Sequence, residues 1–357
     1  MGTEPKSRLE NGSGKPGAGR DAPTINDVAA LAGVSKKTVS RFINDSPLIS
    51  QATRDKVSAA IDSLGYVPNP QARALALRRN FMIALLHDNP NAQTVLNFQR
   101  GVLSAISDSD LALAVRPVDR TSDVLLDDIS TFLGKQRPLG VLILPPISER
   151  DDIAQLCQDM DIPYIRVGSA PLDMPERCVA SNDREIVRDA VSRLVARGHK
   201  RIGFVRGPDN FRSAVEREAG FRDALEGAGI DLVDALYTKG NYRFASGMEA
   251  GQALLDLPDR PTAIFVSNDE MAAGVMHAAY DRKLAIPEDL AIVGFDDSPT
   301  ARHTWPQLST VLWPIEEMGR IAALKLVPGF LSERPDKDVL ETVILPSDLV
   351  ERGSAKL

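Results

Sequence analysis

The chain has 357 residues, enough for two or three domains, and its 43% hydrophobic and 25% charged content is typical of a globular protein. No apolar run of about 18 residues predicts a membrane span. The two cysteines, Cys157 and Cys178, lack metal-like spacing, which argues against a disulfide scaffold and fits a reducing cytoplasm.

The net charge of −7 argues against a nucleic-acid-binding protein until its distribution is considered. Residues 1–80 carry 12 Lys and Arg against 7 Asp and Glu, whereas residues 81–357 carry 30 against 42. A basic front end on an acidic body suits a protein whose nucleic-acid contacts are confined to one end. The polar, Gly- and Pro-containing stretch before that end predicts a disordered leader over residues 1–22.

The segment that begins at Thr24 predicts two short helices around a tight turn. Thr24 can cap the first helix, and Val28 and Leu31 would lie on its buried face. Gly33 suits the left-handed residue that ends a helix, and Ser35 can cap the next one. This is the pattern of a helix-turn-helix, whose second helix can enter the major groove of DNA.

The exposed start of the second predicted helix carries side chains that can donate hydrogen bonds to base edges or phosphates. These are Lys36, Lys37, Thr38, Ser40 and Arg41. The alternative interpretation is a pair of ordinary core helices with solvated lysines, because motif matches of this length also occur by chance.

The segments after the motif favour the DNA-binding interpretation. A third helix is predicted from Ser50 to Leu64, and Gly65 would end it. Asn69 and Pro70 then begin a short helix, predicted over residues 69–79. Because so short a helix is not stable alone in water, it requires a partner such as DNA or a second subunit.

From about Ala22 onward the chain resembles the lactose-repressor (LacI) family of bacterial transcription regulators. The resemblance rests on the stretch from Thr24 to Arg41, on Gly65-Tyr66-Val67-Pro68-Asn69 and on the short helix that follows. It implies a helix-turn-helix headpiece over 23–68, a hinge helix over 69–79 and an effector-binding and dimerisation domain over 80–357.

The resemblance also implies a set of DNA-contacting residues. Lys36 and Lys37 would read operator bases, and Leu75 would insert into the minor groove and bend the DNA. The full expected set is Thr24, Ser35, Lys36, Lys37, Thr38, Ser40, Arg41, Asn44, Ala72, Leu75 and Ala76.

From Phe81 onward short apolar strands alternate with helical stretches, which predicts an α/β fold of doubly wound parallel sheets. Two such sheets in succession would make two lobes with a cleft between them, as in periplasmic sugar-binding proteins. The predicted strands are 81–86, 112–117, 140–144, 164–167, 201–205, 263–266 and 290–294. The predicted helices include 97–107, 183–197, 216–228, 245–255, 269–282 and 319–327.

Ligands of such folds bind beyond the carboxyl ends of the strands, where this chain carries polar clusters. The resemblance implies that Arg217, Asn268 and Asp296 hold polar groups of an effector. Tyr242 or Phe295 would pack against its apolar face, although a core role is an equally good interpretation of either aromatic residue.

Two features of the first lobe depart from the family pattern. The first strand is followed by Asp88 and Asn89, which we assign to the effector site. Gly168 and Ser169 follow Val167 where the family often has an acidic ligand residue, and Asp88 could replace that acceptor. For Asp269 and Asp297 capping of the following helix is at least as good an interpretation as ligand contact.

The sequence therefore predicts a transcriptional repressor that binds a pseudo-palindromic DNA operator as a homodimer and is released by a sugar. A co-repressor-type regulator that responds to a purine or another metabolite is the alternative. A solute-binding protein is a weaker one, because it leaves the basic front end unexplained. Dinucleotide, Walker and nucleophile-elbow motifs are absent, so we expect no enzyme, no cofactor and no metal site.

Overall fold

The computed structural model describes residues 23–43, 48–67, 81–233, 236–331, 335, 337–341 and 343–357. The chain divides into two units, Met1–Leu77 and Arg78–Leu357. The predicted leader, the predicted hinge helix and the predicted DNA contacts of Asn44, Ala72, Leu75 and Ala76 lie outside the described residues. None of the helices within the described ranges is long and apolar enough to cross a membrane.

The described part of the first unit contains three helices, α1 (Ile25–Ala32), α2 (Lys36–Ile43) and α3 (Gln51–Leu64). The carboxylate of Asp27 accepts hydrogen bonds from the N–H and the hydroxyl of Thr24, both at 2.7 Å, and these bonds lower the pKa of Asp27. Gly33 ends α1 with a φ of 64°, a left-handed conformation that favours glycine. The predicted helix-turn-helix is confirmed.

A small apolar core joins the three helices. Val28, Val39 and Val57 are fully buried, whereas Leu31 is 55% exposed. The prediction that Leu31 lies on the buried face of α1 is wrong. Because α1 is only eight residues long, the side covered by α2 and α3 is a narrow stripe through Val28 and Ala29.

The second unit contains two six-stranded sheets, each the centre of one lobe. The first sheet has the strand order β11-β5-β4-β3-β1-β2, with all neighbours parallel. Its strands are β1 (Met82–His87), β2 (Ala112–Pro117), β3 (Gly140–Ile143), β4 (Tyr164–Gly168), β5 (Cys178–Ser181) and β11 (Ile344–Leu345). The helices of this lobe are α4 (Ala92–Ala105), α5 (Leu125–Gln136), α6 (Asp151–Asp159), α12 (Ile315–Leu326) and α13 (Lys337–Glu341).

The second sheet has the order β12-β10-β9-β8-β6-β7, in which only β10 and β12 are antiparallel. Its strands are β6 (Ile202–Arg206), β7 (Tyr237–Lys239), β8 (Ala263–Val266), β9 (Ala291–Asp296), β10 (Ser309–Leu312) and β12 (Asp348–Val350). The helices of this lobe are α7 (Asp183–Ala196), α8 (Arg212–Gly227), α9 (Phe244–Leu255), α10 (Asp269–Asp281) and α11 (Pro299–His303).

The α/β architecture with two doubly wound lobes is confirmed. Strands β2 and β8 have the predicted bounds, and the other predicted strands differ from the observed ones by one or two residues at their ends. The short strands β5, β7, β10 and β11 were not predicted, because, unlike β3 and β8, none of them is a continuous apolar run of four residues and they are too short to show a period.

The chain passes between the lobes three times, after β5, after β10 and after β11. Hydrogen bonds tie the three crossovers together. The indole N–H of Trp313 donates to the hydroxyl of Ser181 at 2.9 Å, and the backbone N–H of Ser347 donates to the side-chain oxygen of Asn182 at 2.8 Å. The crossovers therefore form a single connected structure between the two sheets.

Helices α4 and α12 pack backbone against backbone in the first lobe. A Cβ atom at Gly101 would overlap the carbonyl oxygen of Glu316, and one at Gly319 would overlap the carbonyl oxygen of Phe98. These two glycines therefore allow a close approach that a larger residue would prevent.

Gly101→Ala should lower the stability of the second unit by about 1–3 kcal/mol, because the added methyl group forces the two helices apart. Gly134→Ala is the matched control, since it also lies in a helix but its Cβ would meet only the end of Met160, at 4.0 Å. We expect Gly134→Ala to leave stability unchanged or to raise it, because alanine favours the helix. Thermal unfolding that gave equal midpoints for the two variants would contradict the packing argument.

Candidate DNA-binding surface and ligand cavity

The start of α2 presents the positive charge of the first unit. Lys36 and Lys37 are exposed in its first turn, and Arg41 lies partly exposed in its last turn. The hydroxyl of Ser35 accepts the N–H of Thr38 at 3.1 Å, so Ser35 holds the beginning of the helix. Of the predicted contact residues, Thr24, Ser35 and Thr38 thus already have partners within the headpiece.

A cavity lies between the two lobes of the second unit. It is lined by residues that follow the carboxyl ends of strands in both sheets, as the parallel topology predicts. The first lobe contributes Asn89, Pro90, Asn91, Thr94, Pro145 and Ser169. The second lobe and the adjoining crossover contribute Phe211, Ser213, Arg217, Tyr242, Asn268, Asp296 and Trp313. The structure therefore brings together five of the seven predicted effector residues.

Arg217 is the centre of the cavity wall and is only 3% exposed. Its Nε donates to Asp183 at 2.8 Å, and its Nη1 donates to the carbonyl of Ser267 at 2.5 Å. The guanidinium carbon lies 3.5 Å from the centre of the Phe295 ring. These contacts hold the guanidinium plane in place and leave Nη2 without a partner among the described residues.

Two of the predicted effector residues, Phe295 and Asp88, do not line the cavity. Phe295 is fully buried beneath Arg217, so it supports the guanidinium and does not face a ligand. Asp88 pairs with Arg120 at 3.3 Å and is not part of the cavity lining. Asn89, the next residue, does reach the cavity wall.

Asp296 ends β9 and presents a carboxylate to the cavity. Its φ of 115° is rare for a residue with a side chain, and it changes the direction of the backbone at this point. Burial raises the pKa of Asp296 well above its usual range; Arg217 opposes this shift, and nearby carboxylates add to it. No hydrogen bond to this carboxylate comes from the described part of the chain, so it is open to donors on a ligand.

Asn268 lies on the cavity wall and has a second role besides the predicted one, whereas Asp269 does not act as a helix cap. Asn268 lines the cavity but also caps α10, because its side-chain oxygen accepts the N–H of Met271 at 3.0 Å. Asp269 does not act as the cap; it accepts from the hydroxyl of Thr310 at 2.6 Å and the N–H of Ser298 at 2.7 Å. Burial raises the pKa of Asp269 to about 7.

Aromatic rings form much of the remaining cavity wall. Tyr242 has a φ of 65° and lies directly against Gly207, where a Cβ atom would overlap its ring. The Tyr242 hydroxyl bonds to Ser213 at 3.0 Å, and the ring of Phe211 meets it edge-on at 5.3 Å. Trp313 completes this apolar surface. Sequence reasoning missed Phe211 as a wall residue and assigned Trp313 no role there.

Ser169 is a polar cavity residue that the sequence reasoning noted only as a departure from the family. It is 5% exposed, and its hydroxyl is buried without a hydrogen-bond partner in the described ranges. A buried hydroxyl without a partner is unfavourable unless a ligand or water satisfies it. The unpaired hydroxyl therefore marks Ser169 as a candidate ligand contact. It can be recognised only in the folded structure, because the sequence does not show which hydroxyls are buried.

Glu149 connects the lobes at a second place. It belongs to the first lobe, and its Oε2 accepts the N–H of Arg212 at the start of α8 in the second lobe, at 2.9 Å. Its Oε1 is buried without a described partner. Burial raises the pKa of Glu149 to about 7, against the smaller opposing effects of the Arg212 N–H and the charges of Arg120, Arg212 and Arg166.

A helix-turn-helix with lysines at the start of its second helix and a two-lobed body with a cavity of aromatic and polar side chains between the lobes define a ligand-binding DNA-binding regulator. Comparison with known families agrees with this class. Residues 24–69 match the model of bacterial regulatory proteins of the lacI family, and residues 191–355 match a periplasmic binding protein-like domain.

Similar proteins cover nearly the whole chain. The HTH-type transcriptional regulator CelR of Thermobifida fusca is 35% identical over 91% of this chain and 98% of its own length. The ribose operon repressor of Escherichia coli (strain K12) is 31% identical over 93% of this chain and 99% of its own.

Two solved structures show the same architecture. A CelR–cellobiose complex has a TM-score of 0.67 and 32% identity, covering 93% of this chain and 100% of that one. A lac repressor dimer bound to operator and the anti-inducer ONPF has a TM-score of 0.75 and 27% identity, covering 94% and 99%. The chain belongs to the LacI family of transcriptional regulators, and its named relatives are regulators and repressors, not enzymes.

The raised pKa of Glu149 predicts a definite pH dependence of stability. The pKa of the Glu149 carboxyl is about 7 in the folded protein and near 4.5 in the unfolded chain. Below pH 4.5, where the carboxyl is protonated in both states, the contribution of this group to stability is fully present. That contribution is lost as the pH rises through about 7. Glu149→Gln should therefore reduce the fall in melting temperature between pH 6 and pH 8, while Glu226→Gln, at an exposed position of α8, should not. Identical pH profiles for Glu149→Gln and the wild type would show that Glu149 does not titrate in this range.

Proposed function

We propose that this chain is a repressor that binds a pseudo-palindromic DNA operator as a homodimer and releases it when a sugar fills the cavity. The proposal rests on one observation, which is that a single chain has two recognition features. These are the exposed basic start of α2 and the cavity around Arg217, Tyr242 and Asp296. A purely ligand-binding protein would have no use for the headpiece.

The DNA half of the proposal rests on the geometry of α2. Its first turn exposes Lys36 and Lys37, while Val39 anchors the opposite side of the helix in the core. A helix held in this way can present its N-terminal side chains to base edges in the major groove. Lysine donors suit the acceptors on guanine, and Arg41 suits a phosphate.

The effector half rests on the composition of the cavity wall. Aromatic rings cover one part of it, and the carboxylate of Asp296, the Nη2 of Arg217 and the hydroxyl of Ser169 supply polar contacts on another. A sugar combines apolar C–H faces with hydroxyl groups, which matches this mixture. The solved complex of the similar regulator CelR holds cellobiose, which also favours a sugar.

The homodimer is favoured by exposed apolar side chains on both lobes. Leu96 and Leu103 on α4 are 44% and 49% exposed, and Tyr280 on α10 is 77% exposed. Contiguous apolar patches in solvent are typical of surfaces that a partner covers, and Leu96 and Leu103, two turns apart, lie on the same face of α4. The lac repressor structure among the solved relatives is a dimer on its operator. We place the regulator in the cytoplasm, where its DNA target lies.

Effector control follows if the ligand has a higher affinity for one arrangement of the lobes than for the other. The cavity takes its wall from both lobes, and Glu149 and Arg212 connect them at a second place. A ligand that holds the lobes closed therefore selects one conformation. We propose that this conformation has low affinity for the operator, so that the sugar acts as an inducer.

The DNA half is tested with operators selected from random duplexes by the full-length protein. Lys36→Ala and Lys37→Ala should each weaken binding to the selected sequence by about 1–3 kcal/mol and relax the base preference at one position of each half-site. Lys135→Ala, on helix α5, is the control and should bind as the wild type does. Unchanged affinity and sequence preference in both headpiece variants would remove α2 from the interface.

The effector half is tested at Ser169. Ser169→Ala removes a hydroxyl that has no protein partner, so the fold should keep its stability, while a sugar that uses the hydroxyl should bind up to about ten-fold more weakly. Ser347→Ala is a matched control, because that hydroxyl is also buried and unpartnered but does not line the cavity. The measurement is the sugar concentration that releases half of the operator. Equal values for both variants and the wild type would exclude Ser169 from the effector site.

A further inference from the structure

We propose that Asp183 makes the cavity selective for uncharged polyhydroxylated ligands over sugar acids and phosphates, because it neutralises the arginine in the cavity wall. This inference rests on the proposed function and specifies the ligand class of the same cavity. Asp183 does not line the cavity, and nothing in the sequence marks it as a site residue. It acts through Arg217 as a specificity-determining residue.

Asp183 and Arg217 form a buried ion pair. Asp183 is fully buried at the start of α7, and its Oδ2 accepts the Nε–H of Arg217 at 2.8 Å. Its Oδ1 accepts the hydroxyl of Ser181 at 2.5 Å, and that hydroxyl in turn accepts the indole N–H of Trp313 at 2.9 Å. Both carboxylate oxygens are thus held by fixed donors, so the carboxylate stays beside the guanidinium.

The charged side chains around the cavity determine whether an anion can bind there. Among the lining residues the charged side chains are Arg217 and Asp296. Asp183 already neutralises Arg217, so the carboxylate of Asp296 is left without a cation to neutralise it. Arg120, near the cavity through its contact with the Phe211 ring at 4.4 Å, is neutralised by Asp88. The wall therefore offers no uncompensated positive charge to an anion.

The carboxyl group of Asp296 responds to this environment. The surroundings raise its pKa because burial disfavours the charge and the carboxylates of Asp269 and Asp183 repel it. A ligand carboxylate or phosphate placed in the same cavity would meet the same burial and the same repulsion. Hydroxyl groups avoid both, and they can donate to Asp296 and accept from the free Nη2 of Arg217.

The prediction for the wild type uses pairs of sugars that differ in one acidic group. The pairs are D-glucose and D-glucuronate, D-galactose and D-galacturonate, and cellobiose and cellobionate, measured by calorimetry on the full-length protein at constant ionic strength. In every pair with a binding member, the neutral sugar should bind at least about ten-fold more tightly. An acid that binds as tightly as its neutral counterpart, or more tightly, overturns the proposal.

Asp183→Asn tests the residue directly, because it leaves Arg217 unpaired in the cavity wall. D-glucuronate and inorganic phosphate should then raise the melting temperature of Asp183→Asn and not that of the wild type, as expected for anions that bind the native state. Asp223→Asn is the matched control: it also frees an arginine, since Asp223 pairs with Arg184 at 2.6 Å, but outside the cavity. In a Trp305→Phe background, Trp313 fluorescence reports whether the anion enters the cavity.

Asp296→Asn keeps the proposal testable if Asp183→Asn does not fold. This variant removes the carboxylate that repels an anionic ligand. The sugar acid should therefore bind more tightly than it binds the wild type, and the difference in affinity between the neutral sugar and the acid should become smaller. If neither folded variant gains anion binding over the wild type and the Asp223→Asn control, the proposal is wrong.

The same samples separate this inference from the proposed function. Operator release from the wild type by a sugar acid, at the same or a lower concentration than its neutral counterpart needs, would keep the proposed function and refute the neutral-ligand inference. Operator binding that responds to none of the six sugars, together with anion binding gained by Asp183→Asn, would support the inference and refute sugar induction.

Discussion

The ligand-binding half of the molecule depends on the buried ion pair between Arg217 and Asp183. Removing two charges from water is costly, and the attraction between them offsets that cost only when the geometry is good and the remaining donors and acceptors are satisfied. Here the carbonyl of Ser267, the hydroxyl of Ser181 and the ring of Phe295 supply the additional contacts. The pair joins α7 to α8 and fixes an arginine at the cavity wall, so that one interaction serves both the packing of the lobe and ligand recognition.

In the first unit the structural features are set by residues close together in the sequence, whereas in the second unit the ligand cavity is not. In the headpiece nearly every feature is local: Thr24 and Asp27 begin one helix, Gly33 ends it, and Ser35 begins the next. In the body the strands are local features, but the cavity is not, because its wall is assembled from loops of two sheets that are far apart in the chain. Recognition of DNA therefore depends on a short continuous segment, whereas recognition of a small molecule depends on the whole fold.

This difference explains how much could be predicted from the sequence. The alternation of apolar runs and helices predicted both lobes, and Arg217, Tyr242, Asn268 and Asp296 were predicted as site residues because each follows a strand of a parallel sheet or matches the family pattern. Asp183 was not predicted, since its partner lies 34 residues away and the segment reads only as the start of a helix. Phe211 and Ser169 were likewise missed, because only the meeting of the two lobes encloses them.

The three crossovers between the lobes have a mechanical consequence. Two hydrogen bonds join the crossovers, one between Trp313 and Ser181 and one between Ser347 and Asn182. A motion of one lobe against the other must therefore either turn about this point or break these bonds. Asp183 follows this point directly and carries the arginine of the cavity wall. A ligand that contacts the guanidinium therefore acts next to the point where the lobes are joined, and a small rotation about that point corresponds to a larger displacement at the distant ends of both lobes.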